Sequence, residues 1–173
     1  MNLANKLTLL RIFLIPLFMF IILIRIPYGQ YIATGIFIIA ASTDGLDGYV
    51  ARKRKQITNL GKLMDPLADK LLITAALIVL VELRLISGWI AFIIIGREFF
   101  VTGLRTIAAA EGVIIAASKL GKIKTVSQII AITVVLLNLP FGKYLMYIAV
   151  FFTLWSGIDY FLKAKKNLRL KVE

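Results

Sequence analysis

No cysteine and no histidine occur among the 173 residues. Their absence removes disulfides, thiolate nucleophiles, thiolate and imidazole metal ligands, and every histidine general base. Any catalysis must therefore run on carboxylates, hydroxyls, amines and guanidinium groups. Acidic residues are scarce, nine against 21 Lys and Arg, which leaves a net charge of +12. Polar surface is scarcer still. Hydrophobic residues make up 60% of the chain and the mean hydropathy is +0.91, whereas ordinary globular chains are roughly 45–50% apolar. There is no GxxxxGK[ST] loop, no GxGxxG turn and no low-complexity tract. The length leaves room for a single domain, residues 1–173.

What the chain does have is apolar length. A spanning helix takes about 20 residues, and six stretches reach or approach that: Leu9–Ile26, Tyr31–Ala51, Leu63–Leu83, Gly88–Ala110, Ile123–Leu139 and Lys143–Leu162. The separators carry turn formers, namely Pro27 and Gly29, Ser87 and Gly88, then Asn138, Pro140 and Gly142. The first stretch has no small-residue cleavage site after it, so it reads as retained rather than as a removable signal. The predicted fold is all-α, a polytopic membrane bundle of six transmembrane helices.

Charge then orients the bundle. One side of the predicted topology collects Lys6, Arg11, Arg52, Lys53, Arg54, Lys55, Lys62, Lys119, Lys122, Lys124, Lys163, Lys165, Lys166, Arg169 and Lys171. The other side has only Arg25, Arg84 and Lys143, while Lys70, Arg97 and Arg105 fall inside predicted spans. The positive-inside rule places both termini in the cytoplasm of a multi-pass cell-membrane protein. The same basic loops suit anionic lipid headgroups. They lack the basic–aromatic platform or recognition helix of a nucleic-acid binder, so no nucleic-acid partner is expected.

Four of the nine acidic residues cluster: Asp44 and Asp47 near the end of the second span, Asp65 and Asp69 near the start of the third. Spacings of three and four put each pair on one helix face. The short connection makes the two helices antiparallel neighbours, so all four carboxylates converge near the cytoplasmic boundary. Converging anions in a low-dielectric setting need compensation. Hard divalent cations held by oxygen ligands supply it, and four carboxylates suit two ions; simple pairing with Arg52, Lys53 and Lys62 is the plainer alternative. Gly48, Ala51 and Gly61 form a bare stripe beside the cluster that lets a bulky ligand approach the backbone. Arg52 ends the stripe, where its fork can grip phosphate. Pro66 fits a first helical turn, which predicts a third helix that begins, or kinks, close to Asp65.

The run Asp44-Gly-Leu-Asp47-Gly48-Tyr-Val-Ala51-Arg52, eight residues, Gly61-Lys-Leu-Met-Asp65-Pro-Leu-Ala-Asp69 resembles the full signature of the CDP-alcohol phosphotransferase family. That resemblance implies that Asp44, Asp47, Asp65 and Asp69 hold two divalent cations, Mg²⁺ or Mn²⁺. It implies that Asp69 is also the base for the acceptor hydroxyl, and that Gly48, Ala51, Arg52 and Gly61 bed the CDP group of the lipid. It further implies a homodimer and an active site facing the cytoplasm.

A second cluster concerns the acceptor. Arg97, Glu98 and Arg105 lie inside the fourth predicted span, and Lys122 and Lys124 follow at the start of the fifth. Basic residues inside a span are expensive and mark substrate paths. Arg97, Arg105, Lys122 and Lys124 together form a candidate pocket for an acceptor that is itself a phosphate, although Arg97 could instead be neutralised by Glu98 or Asp69. Both runs resemble the branch of the family that uses CDP-diacylglycerol and sn-glycerol 3-phosphate; an inositol phosphate would need similar cations. Asp159 reads as a structural hydrogen-bonding residue, and Glu82 and Glu111 as solvated helix-end charges. A divalent-cation transporter is the rival from another class, because intramembrane aspartates also line ion paths.

Overall fold

A computed structural model describes the backbone of residues 3–24, 26–54, 59–113 and 118–172, and the side chains of these except 3–4, 44–54, 59–63, 65 and 167–172. Six α-helices and no strand occur among the described residues: α1 (Leu3–Leu23), α2 (Gly29–Arg54), α3 (Asn59–Glu82), α4 (Gly88–Ala110), α5 (Lys119–Leu136) and α6 (Gly142–Val172). Each predicted stretch therefore corresponds to one helix.

The helix ends are written in local chemistry. Ser87 caps α4 by accepting from the Trp89 N–H, and Ser118 caps α5 by accepting from the Gly121 N–H, each satisfying an otherwise orphaned first-turn donor. Tyr28, Arg84 and Asn138 hold φ of 61°, 57° and 54° in the tight turns before α2, α4 and α6. Asn tolerates that left-handed region better than Tyr or Arg does.

Two boundaries differ from the sequence-based expectation. The third helix does not begin at Asp65. It starts at Asn59 and runs through Pro66, so the carboxylates Asp65 and Asp69 belong to its second and third turns rather than to its mouth. The last helix continues past Leu162 to Val172, because Lys, Arg, Leu and Ala are good helix formers in or out of an apolar layer.

Helix α1 packs on α2 and α3, α6 packs on α4 and α5, and α2 and α3 join the two groups through contacts with α5 and α4. The core follows helical periodicity. Ala33, Phe37 and Ala40 form the buried stripe of α2, while Ile15, Phe18 and Ile22 form that of α1. The two stripes meet where Phe18 and Phe37 lie 5.8 Å apart, centroid to centroid. From there Leu72, Ala76 and Leu80 of α3, Ile132 and Leu136 of α5, and Met146 and Ala149 of α6 close one continuous apolar interior. Alanines at the contacts let helix axes approach closely.

The exterior is apolar as well. Phe13 and Phe20, Tyr31 and Ile39, Leu71 and Ile78, Phe92 and Phe99, Val126 and Ile130, Phe151 and Trp155 project outward from the six helices in turn. A water-soluble monomer rarely exposes contiguous apolar surface on this scale. Asn5–Leu23 and Gly142–Lys166 are the two described segments long and apolar enough to cross a bilayer by composition alone. The other four helices carry the polar and charged residues of the two candidate clusters, which lowers their average hydropathy.

Candidate active site

The signature residues divide between two packed helices. Asp44, Asp47, Gly48, Ala51 and Arg52 lie on the last third of α2, and Gly61, Asp65 and Asp69 on the first half of α3. The side chains of Asp44, Asp47, Ala51, Arg52 and Asp65, and the surroundings of Gly48 and Gly61, lie outside the described residues, as do those of Lys53 and Lys62. Asp69 is described, and its side chain is 39% exposed.

What holds Asp69 is Arg11 of α1. Arg11 counted among the interfacial basic residues in the sequence reading, but its side chain is completely buried. Its Nη1 pairs with Asp69 Oδ1, and its Nε donates to Thr43 Oγ1 at 3.1 Å. Thr43 in turn donates to the Ala40 carbonyl at 2.6 Å and immediately precedes Asp44. One guanidinium thus spans the two halves of the signature. Removing one partner from a buried ion pair costs about 3–5 kcal/mol, with the lower end appropriate here because Asp69 is partly exposed.

The second cluster is assembled around Glu98. Its Oε1 accepts from Arg97 Nη1 at 3.1 Å and from Lys124 Nζ, joining α4 to α5. Arg97 Nη2 continues to Ser156 Oγ at 3.0 Å, which ties α4 to α6. Its Nε is buried with no hydrogen-bond partner. Close packing explains this confinement: Arg97 Cγ lies 3.2 Å from where a Cβ on Gly157 would stand. Glycine at 157 is what lets the arginine lie against α6. An apolar groove of about 540 Å³ opens on the outer side of this junction, lined by Phe92, Gly96, Phe100, Gly157 and Phe161 with Arg97 at its wall.

Of the four residues expected around an acceptor phosphate, the structure joins two. Arg97 and Lys124 share Glu98. Arg105, two turns along α4, instead donates from Nε to the Tyr160 hydroxyl at 3.0 Å, with its guanidinium carbon 5.1 Å from the Tyr160 ring centroid. That leaves its Nη face outward on an exposed side chain. Lys122 is exposed one turn into α5. Lys70, given no role by the sequence, donates to Thr102 Oγ1 at 2.6 Å and acts electrostatically on Lys124 together with Arg97. Because Lys70 follows Asp69 in α3 and Thr102 lies between Glu98 and Arg105 in α4, this bond sets the carboxylate motif beside the basic cluster. Arg97, Lys124 and Lys70 together outnumber Glu98, which leaves a local positive excess. The sequence signal for Lys70 was its position within an apolar span, where a charge needs a reason.

The remaining acidic residues follow their sequence reading. Asp159 pairs with Lys163 one turn later at 2.7 Å, Glu82 is exposed at the last position of α3, and Glu111 is the exposed C-cap of α4.

The acidic motif lies on two neighbouring helices, and the basic cluster on two others, of one helical bundle. Residues 1–155 match the family described as CDP-alcohol phosphatidyltransferase, and the chain belongs to that family of enzymes. Its relatives include the CDP-diacylglycerol–glycerol-3-phosphate 3-phosphatidyltransferase of Bacillus subtilis, 48% identical over 97% of each chain. Proteins of the same name from Haemophilus influenzae and Escherichia coli are 40% and 34% identical, with 96% of this chain and 95% and 97% of theirs aligned.

Proposed function

We propose that the chain transfers the phosphatidyl group of CDP-diacylglycerol to sn-glycerol 3-phosphate, giving phosphatidylglycerophosphate and CMP. The observation that carries this reading is the end-to-end match to the Bacillus subtilis relative of that name. The basic excess around Glu98 supports it physically, since a phosphorylated acceptor needs cations that serine or free glycerol does not.

The donor set fits divalent cations. All four signature residues offer hard carboxylate oxygens, and the Arg11 fork brings Thr43, next to Asp44, within one side chain of Asp69. Asp44, Asp47, Asp65 and Asp69 would hold two ions, Mg²⁺ or Mn²⁺. The chemistry such ions supply when bound is charge neutralisation at the pyrophosphate and polarisation of its P–O bonds. Around them the chain's own residues do the rest. Gly48, Ala51 and Gly61 leave room for the cytidine diphosphate, and Arg52 grips its phosphate. Arg105, with Lys122, Lys124 and Lys70, receives the acceptor phosphate, while Glu98 and Ser156 hold Arg97 at the back of that pocket. Asp69 takes the proton of the acceptor hydroxyl as the hydroxyl oxygen bonds to the lipid-side phosphorus. The bond from that phosphorus to the CMP oxygen breaks, and CMP leaves.

The test is direct. Purified protein with CDP-diacylglycerol should release CMP in the presence of glycerol 3-phosphate, far more slowly with inositol phosphate, serine or glycerol, and not at all in excess EDTA. Preference for another acceptor would overturn the substrate assignment, and full turnover in EDTA the two-cation reading. A cation transporter fits less well, because α3 beyond Asp69 presents Leu72, Ala76, Leu77 and Leu80 to the interior, each no more than 3% exposed.

The apolar exterior, together with the charge asymmetry, supports a cell-membrane protein crossing the bilayer six times with its site and both termini in the cytoplasm. Two helix groups sharing small-residue contacts also allow the homodimer that the family resemblance implies. A reporter fused after Arg169 should be found on the cytoplasmic face; its appearance outside would rule out an even number of crossings.

A further inference from the structure

Arg11 is the largest fully buried side chain among the described residues, and packing does not account for it. A buried ion pair replaced as a whole by well-packed apolar residues is often no less stable, so apolar residues at both ends of the pair would serve the α1 interface equally well. What an apolar side chain cannot do is hold two groups on two different helices at once. The buried stripe of α1 runs Thr8, Arg11, Ile15, Phe18, Ile22. It changes from polar to apolar at the level where α2 and α3 change from signature residues to core. The guanidinium sits at that transition, with Nε on Thr43 of α2 and Nη1 on Asp69 of α3. Its planar fork fixes the direction of both bonds.

We propose that Arg11 is a positioning residue of the carboxylate centre. It holds the Asp44 end of α2 and Asp69 of α3 at one separation, and its bond to Oδ1 fixes how the Asp69 carboxylate is turned. The proposal rests on the two-cation reading of the signature. Partners of this kind, which orient a ligand without touching the metal, change metal affinity or activity by about 10–100-fold when mutated. Lysine at this position keeps the charge but lacks the planar fork that fixes the direction of both bonds, so Arg11→Lys separates positioning from charge compensation. Thr43→Val keeps the charge and the Asp69 pair but removes the acceptor of Nε.

The experiment titrates full-length protein in detergent with Mn²⁺ and reads free Mn²⁺ by electron paramagnetic resonance, alongside the melting temperature, kcat and the KM for glycerol 3-phosphate. For Arg11→Lys we expect half-saturation by Mn²⁺ to rise, and kcat to fall, by about 10–100-fold. The melting temperature should stay within a few degrees of the parent, and the acceptor KM should stay within a few-fold. Thr43→Val should move both quantities the same way by a smaller factor, and it decides the matter if Arg11→Lys does not fold. Parental Mn²⁺ affinity in the folded variant would overturn the proposal and leave Arg11 as a helix tie. A parent that binds no Mn²⁺ would overturn the two-cation reading, and this proposal with it.

Discussion

Asp69→Asn should lower kcat by about 10²–10⁴, the usual contribution of a positioned general base, while binding of the CDP-lipid changes little. Asparagine has the size of aspartate and keeps one oxygen, which can still accept from Arg11 Nη1. The hydrogen bond between α1 and α3 therefore survives, while the basicity and the negative charge facing Arg11 are lost. That conservation of the scaffold is what makes the substitution informative; Asp69→Ala would strand a fully buried guanidinium and confuse folding with chemistry. Metal content has to be measured alongside, because Asp69 is also a proposed metal ligand. With occupancy intact and kcat within a few-fold of the parent, the proton must go elsewhere and Asp69 is not the base. No histidine exists to replace it, so a surviving activity would direct attention to the other signature carboxylates.

The helices and the signature were legible in the sequence for one reason: both are local. Apolar length and turn residues delimit six segments, and intervals of three and four residues place Asp44 with Asp47 and Asp65 with Asp69 without any tertiary knowledge. The misreadings came where a local signal measures something other than what was asked. Apolar run length reports bilayer thickness rather than helix length, so α3 begins at Asn59 rather than near Asp65, and α6 outlasts its apolar part to reach Val172. Pro66 disfavours an interior helical position, yet the packing of α3 against α1, α2, α4 and α5 holds the helix through it. Arg11 was indistinguishable from an interfacial charge because its burial depends on Thr43 and Asp69, 32 and 58 residues away. Glu98 was visible as a possible neutraliser of Arg97. Its bond to Lys124, 26 residues on, was not, and that bond turns a row of separate cations into a built cluster.

That cluster separates two arginines on one helix face that the sequence treated alike. Arg105 is exposed, held from behind by Tyr160, and has Nη groups left to grip a ligand. Arg105→Ala should therefore raise the KM for glycerol 3-phosphate by about 10–100-fold, the worth of a hydrogen bond to a charged group at roughly 1.5–3 kcal/mol. The KM for CDP-diacylglycerol and the melting temperature should stay near the parent. Arg97→Ala should behave differently. Its two Nη atoms are engaged by Glu98 and Ser156, so truncation cuts the link from α4 to α6, leaves Lys124 as the partner of Glu98, and opens a void against Gly157. Loss of thermal stability should then accompany any change in KM. Lysine discriminates further: Arg105→Lys retains the charge and should recover much of the acceptor affinity, whereas Arg97→Lys cannot span Glu98 and Ser156 together. If Arg105→Ala instead raises the lipid KM alone, the exposed cation faces the donor. The acceptor phosphate then belongs deeper, with Lys124 and Lys70, rather than at the end of α4.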